Sequence, residues 1–241
     1  MGWKHKIRLL MRGVTGIDIC RYDAKQSPPA RIVTLCSAHA IDTVLDVGAN
    51  VGDYAKELFE AGFRGRVLSF EPLGAAHAIL QRRAARVERW DAAPRMAVGD
   101  RDDRVKIHVA NNLTSSSLRE MLPAHLRAAP ESRYVGSEVV PLQRLDGVSH
   151  PFIADASCLF LKSDTQGFEE QVMKGAQGLM HKVRGVQLEM SLVSLYEGQS
   201  LFSGLYHDLE SQGFELYCVL PGFTDRATGR MLQMDCVFFR R

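Results

Sequence analysis

The sequence predicts an α/β fold built on a doubly wound sheet, mostly parallel, with one antiparallel strand near its edge. Three observations carry this. Residues 44–55 read VLDVGANVGDYA: a short apolar run, a glycine turn and a helical start. The same strand-then-turn pattern returns at 66–72 and at 159–169, each time ending in an acid. The last two strand-like runs, 214–220 and 235–240, are separated only by a stretch holding Pro221, Gly222 and Gly229, which makes them a hairpin.

The chain has 241 residues, 46% hydrophobic and 24% charged, with a net charge of +2. That is enough chain for one domain with a substantial core, placed at 30–241 behind a basic extension at 1–29. So small a net charge, with no dominant lysine/arginine block, does not argue for binding nucleic acid. The cysteines at 20, 36, 158, 218 and 236 are scattered and odd in number, and no C-x-x-C occurs. This points to a reducing, cytoplasmic setting rather than a disulfide framework or a zinc site. No apolar run approaches a membrane span. In the extension, Lys4, Lys6, Arg8 and Arg12 interleave with Trp3, Ile7, Leu9, Leu10 and Met11. Such a helix fits either an anionic membrane surface or a packing role against the domain or a second subunit, as in a homodimer.

Taken in order, 30–40 reads as a helix with Ile32, Val33, Leu35 and Cys36 on its apolar face. The first strand and glycine turn follow, then a crossover helix at 54–61 closed by Gly62. The second strand is 66–70. A helix at 75–87 turns Ala76, Ile79, Leu80 and Ala84 inward and Arg82, Arg83 and Arg86 outward. Residues 96–100 read as a third strand ending in Asp100, and an alternating run at 105–109 as an extra one. The serine-rich stretch at 114–117 is flexible by composition and is either a surface loop or a flap over a ligand. Residues 119–138 lack a pattern and read as an excursion, a candidate substrate cover. Strands follow at 159–163, ending in Asp164, and at 185–190, carrying Glu189.

The turn spacing is informative. Asp46, Gly48, Ala49, Asn50 and Gly52 form D-x-G-x-x-x-G, which lacks the third glycine of a dinucleotide-binding loop. Glycines permit a tight bend and close backbone approach, and the helix start beyond offers unpaired N–H groups. Glu71, followed by Pro72, ends the second strand where α/β nucleotide sites accept ribose hydroxyls. This pairing looks like an S-adenosylmethionine (SAM) methyltransferase. With LKSDTQGFE at 161–169, the N…SSSL element at 112–118 and the closing run at 213–240, the chain from about residue 40 resembles the FkbM family of methyltransferases.

The resemblance implies the class I methyltransferase (Rossmann-like) form of the sheet, SAM as cofactor and O-methylation of a sugar or polyketide-derived hydroxyl. Short members resemble enzymes that methylate deoxysugars of glycolipids, which makes a lipid-linked sugar an expected acceptor. The cofactor candidates are Asp46, Gly48, Ala49, Asn50, Gly52, Tyr54, Glu71, Pro72, Asp100 and Ser116. An alcohol is a poor nucleophile until a base takes its proton. Asp164 and Glu189, ending adjacent strands, are the catalytic candidates, and Asp164 fits equally a role in holding the cofactor's amino group. A magnesium ion held by Asp164 and another carboxylate is an alternative, since hard cations take oxygen ligands, whereas no histidine spacing supports a histidine metal site. Among the histidines, His181 is a secondary candidate base, His125 and His150 lie in loops, and His39 reads as structural. An NAD-dependent oxidoreductase, an RNA- or protein-directed methyltransferase and a non-enzymatic scaffold are the competing readings.

Overall fold

A computed structural model describes residues 3–16, 27–149 and 151–241. Cys20, His150 and part of the extension at 1–29 lie outside the described residues. In chain order the helices are α1 (Trp3–Thr15), α2 (Pro28–Ala38), α3 (Asp53–Glu60), α4 (Gly74–Ala84), α5 (Pro123–Ala128), α6 (Leu145–Ser149), α7 (Glu169–Gly175) and α8 (Phe202–Ser211). The strands are β1 (Thr43–Val47), β2 (Arg66–Phe70), β3 (Trp90–Ala92), β4 (Ala97–Gly99), β5 (Asp103–Ala110), β6 (Tyr134–Arg144), β7 (Leu159–Ser163), β8 (Val183–Ser191), β9 (Phe214–Pro221) and β10 (Gln233–Arg240).

Seven strands form the main sheet in the order β3-β2-β1-β7-β8-β10-β9. Neighbours from β3 to β8 run parallel, and β10 runs antiparallel to both β8 and β9. The order reverses direction between β1 and β7, so their carboxyl ends flank the crevice where such sheets bind ligands. All five residues of β1 are buried, as a central parallel strand requires. Side-chain parity splits the core. Leu45, Val47, Leu161, Val186 and Leu188 face one layer with α7 and α8 residues. Val44, Val67, Phe160, Val237 and Phe239 face the other, with α2, α3 and α4 residues.

Three sequence expectations change. The third strand of the main sheet is β3, whose Trp90 packs under the glycine turn, and not 96–100. Residues 97–99 instead join a three-stranded sheet, β4-β6-β5, with β6 occupying the end of the stretch that had no pattern. Leu73 and Ala76 of the α4 region pack on this small sheet with Ala97, Ile107, Val140 and Leu142, which holds it over the carboxyl end of β2. Helix α2 starts at Pro28, because proline at the first helical positions has its φ preset and no N–H to satisfy. The structure also adds α8, anchored by Leu205 and Leu209 one turn apart, where the sequence suggested no element.

Candidate active site

The glycine turn rests on a row of buried polar side chains. Asp46, Ser69, Lys162 and Gln187 occupy paired positions on β1, β2, β7 and β8, all on the α3 face of the sheet. Lys162 Nζ lies 3.1 Å from Asp46 Oδ1 and donates to the Gly48 carbonyl at 3.2 Å. Ser69 Oγ donates to Asp46 Oδ2 at 3.1 Å. Burial alone would lower the Lys162 pKa, but the Asp46, Asp164 and Asp235 carboxylates outweigh it and hold the ammonium charged. Tyr54 lies across this row, its ring 5.2 Å from Lys162 Nζ and its hydroxyl donating to Gln187 Oε1 at 2.9 Å. Asp46 is thus a fully buried ion-pair partner beneath the turn and lines neither of the cavities described below.

Close packing explains the two glycines. Gly48 has φ +77°, and a Cβ there would overlap the Asp164 carbonyl oxygen. Gly52 has φ +87°, and a Cβ would run into Trp90 and Leu80. Both glycines let the turn sit against protein; Gly48 also borders the cavity above.

That cavity, counted with its open mouth, holds about 690 Å³ of free space. Its floor is Gly48 and Asn50, and Glu71 and Pro72 stand at one end. Phe70, Met96, Val98, Ile107 and Leu113 supply apolar walls fit for a flat heterocycle. Glu71 is buried; its Oε2 accepts the Asn50 N–H and its Oε1 the Leu73 N–H, both at 2.8 Å. Burial pushes its pKa up to about 7 against those two donors. A carboxylate with spare lone pairs at the end of an apolar slot fits the ribose of an adenosyl group. Ser116 also lines the cavity, its hydroxyl accepting the Ala110 N–H at 2.9 Å.

Asp164 lies between this cavity and a second, larger and more open one, of about 1,120 Å³ counted with its open mouth. Thr114, Asp164 and Gln166 line both. The second cavity is polar: Asn112, Ser115, Ser132, Glu189 and Gln233 line it, with Phe223 as an apolar wall. Gln166 ties its acids together. Its Nε2 donates to Asp164 Oδ1 at 2.8 Å and to Glu189 Oε2 at 2.6 Å, while Tyr196 donates its hydroxyl to Gln166 Oε1 at 2.7 Å. Gln233 Nε2 gives Glu189 Oε2 a second bond at 2.8 Å. Burial, then the Asp164, Glu169 and Asp235 carboxylates, raise the Glu189 pKa well above the ordinary carboxylate range.

The 164–169 loop is built for this. Gln166 and Gly167 take φ +54° and +92°, and Glu169 Oε1 caps the loop by accepting the N–H groups of Thr165 (2.8 Å) and Gly167 (3.2 Å). Burial pushes the Glu169 pKa up to about 7. The serine stretch is knitted in rather than loose: Ser117 Oγ donates to the Gln166 carbonyl at 2.7 Å, and Arg119 Nε to the Gly167 carbonyl at 2.6 Å. It forms a flap over the first cavity, with Thr114, Ser116, Ser117 and Leu118 facing it.

Of the sequence-predicted residues, Gly48, Asn50, Glu71, Pro72, Ser116 and Asp164 line the first cavity, and Asp164 and Glu189 the second. Asp46, Ala49, Gly52 and Tyr54 are drawn into the turn and the polar row. Asp100 sits beyond β4 in the small sheet and pairs with Arg101 at 3.0 Å, away from both cavities. The sequence reading missed Gln166 and Gln233, since an uncharged amide in a loop carries no signal of its own. It also left open His125, which is buried at the second cavity with its pKa pushed down to about 4 by burial. His181 is exposed and outside both cavities, and His39 stacks on Phe239 at 4.1 Å. Among the described residues no group of three or more His, Cys, Asp or Glu is arranged to hold a metal ion, so the magnesium alternative gains no ligand set.

Residues 46–216 match the methyltransferase FkbM domain. Over 186 residues the chain is 27% identical to the 2-O-methyltransferase NoeI of Sinorhizobium fredii, covering 74% of each chain. Among solved structures, cofactor-bound Rv0187 from MTB is similar with a TM-score of 0.48 at 12% identity, covering 100% of this chain and 91% of that one. TehB from Haemophilus influenzae gives a TM-score of 0.46 at 8% identity, covering 97% and 67%. With more than half its length matched, the chain belongs to the FkbM methyltransferase family and is a SAM-dependent methyltransferase.

Proposed function

We propose that this methyltransferase methylates a hydroxyl group of a sugar, on a deoxysugar of a glycolipid or another secondary metabolite. The observation that carries the reading is the meeting of an apolar cavity holding Glu71 with a polar cavity at the single carboxylate of Asp164. Amides, hydroxyls and acids around Phe223 suit a ring with several hydroxyls and an apolar face. The likeness to a 2-O-methyltransferase supports an oxygen acceptor. The free thiols Cys36, Cys158, Cys218 and Cys236 fit the cytoplasm as its place of work.

When bound, SAM supplies a methyl group on a cationic sulfur. Glu71 and the apolar walls would hold the adenosyl part, and Gly48 and Asn50 would border the rest. The acceptor lies in the polar cavity with its hydroxyl against Asp164. Gln166 Nε2 occupies Oδ1 of Asp164, which leaves Oδ2 to take the hydroxyl proton. Glu189 alongside, its pKa raised by burial and by the neighbouring carboxylates, favours its neutral form beside Asp164 and so limits the negative charge at the junction. The serine flap and Arg119 keep water from the junction.

The test is turnover of methyl-labelled SAM with a panel of neutral glycosides, including deoxyhexosides and glycolipid extracts. A product heavier by one methylene on the sugar is expected. Asp164→Asn is expected to lower the rate about 10²–10⁴-fold, the usual contribution of a positioned base. Transfer to a non-sugar acceptor alone would refute the sugar assignment.

A further inference from the structure

The feature that the methyltransferase site does not use is α1. Its sequence, WKHKIRLLMRGVT, is 13 residues long and has no acid. Trp3, Ile7, Leu10, Met11 and Val14 fall on one stripe of about 100°, the geometry of a helix with a single apolar face. Their exposures are 69%, 50%, 67%, 38% and 77%. A large aromatic and four aliphatic side chains displayed together on one face call for a non-aqueous occupant. Lys6 lies on one flank of the stripe, Arg8 and Arg12 on the other, and Leu9 alone breaks the polar side.

Charge selects the occupant. The helix itself holds no acid, so a second copy laid on this stripe would bring its own cations against Lys6 and Arg12 with no helical acid to pair them. A nucleic acid would satisfy the cations and leave the apolar stripe in water. An anionic lipid surface satisfies both: acyl chains take the stripe and phosphates take the flanks. A span needs about 20 apolar residues, so a 13-residue helix lies in the plane of the interface instead.

We propose that α1 is an in-plane anchor that places this enzyme on an anionic membrane surface. The inference does not rest on the identity of the methyl acceptor and is read without turnover.

The chain carries a built-in reporter. It has two tryptophans; Trp90 is buried with its indole N–H bonded to Ser69 Oγ, whereas Trp3 is on the exposed stripe. The experiment adds vesicles of phosphatidylcholine, with and without phosphatidylglycerol, to the full chain and follows tryptophan emission and co-sedimentation. Expected are a blue shift and sedimentation with the anionic vesicles, both weakened by salt. Leu10→Glu is expected to abolish both. Lys6→Gln and Arg12→Gln are each expected to weaken partitioning about fivefold, the effect of one cation near such a surface. These positions are exposed, and unchanged SAM affinity in the variants shows that the domain is intact. Absence of any shift with anionic vesicles would overturn the proposal, as would equal binding to neutral ones. So would a blue shift that grows with protein concentration without lipid and accompanies a dimer in sedimentation velocity, which would assign the stripe to a second copy.

Discussion

Gln166 is the residue on which the proposed chemistry turns, though it neither titrates nor attacks. One amide nitrogen holds Asp164 and Glu189 together, and Tyr196 fixes the amide's orientation. A φ of +54° is uncommon for a side chain of this size, so the loop accepts strain to place it there. Gln166→Leu is expected to leave SAM affinity near that of the wild type while lowering kcat about 10–100-fold, since a misplaced base loses its geometry. Its pH–rate profile should also move, because Glu189 would then titrate with one hydrogen-bond donor fewer. A profile and a rate identical to wild type would reduce Gln166 to a lining residue.

At the scale of elements, the carboxyl ends of β1 and β7 approach so closely that position 48 admits no side chain. Gly48→Ala is expected to cost about 4 kcal/mol or more, in the range reserved for backbone clashes, and to be read as lost soluble expression or a collapsed melting temperature. The polar row beneath behaves differently. Lys162→Met removes one half of a buried pair and is expected to destabilise by about 3–5 kcal/mol. Adding Asp46→Asn should recover much of that loss; a double variant no better than the single would show that Lys162 acts mainly through the Gly48 carbonyl. These contacts also explain what the sequence could and could not reveal. The strand–turn–helix at 44–55 and the acids at 71 and 164 were legible, because chain order and strand ends locate a ligand crevice in such sheets. The direction of the Asp46 side chain was not legible from its place near a strand end: parity turns it to the α3 face, toward Lys162 and Ser69 on neighbouring strands. Asp100 misled for a related reason, as β4 pairs with β6, about forty-five residues on, and no local pattern announces which sheet a three-residue strand will join.

Across the whole molecule, buried acids make stability depend on pH. Glu71 and Glu169 both have pKa values raised from 4.5 to about 7, chiefly by burial. Each holds its proton more tightly folded than unfolded, so stability declines as pH rises from about 4.5 to about 7. The effect is on the order of 1–3 kcal/mol per group. Asp146, Glu170 and Asp225, whose pKa values are lowered chiefly by hydrogen bonds, act at the acid side, below about pH 4. Buried His125, its pKa lowered to about 4, offsets part of this below about pH 6.5, so the melting temperature of the ligand-free protein is expected to fall between about pH 4.5 and about pH 7, most steeply toward the upper end, and Glu169→Gln should flatten that slope. A slope unchanged in that variant would mean that Glu169 is ionised throughout. The two-cavity plan itself emerges only at this scale, since its walls come from the 44–52 turn, the serine flap, the 164–169 loop and the β9–β10 hairpin.

The most direct measurement is calorimetric titration of SAM into the wild-type protein, Asp164→Asn and Glu71→Ala. Micromolar binding to the wild type is expected, with affinity within about twofold for Asp164→Asn and binding weaker by about 10–100-fold for Glu71→Ala, the effect of losing a buried acceptor. A folded wild-type protein that fails to bind SAM, or a Glu71→Ala variant that binds it unchanged, would contradict the assignment of this cavity.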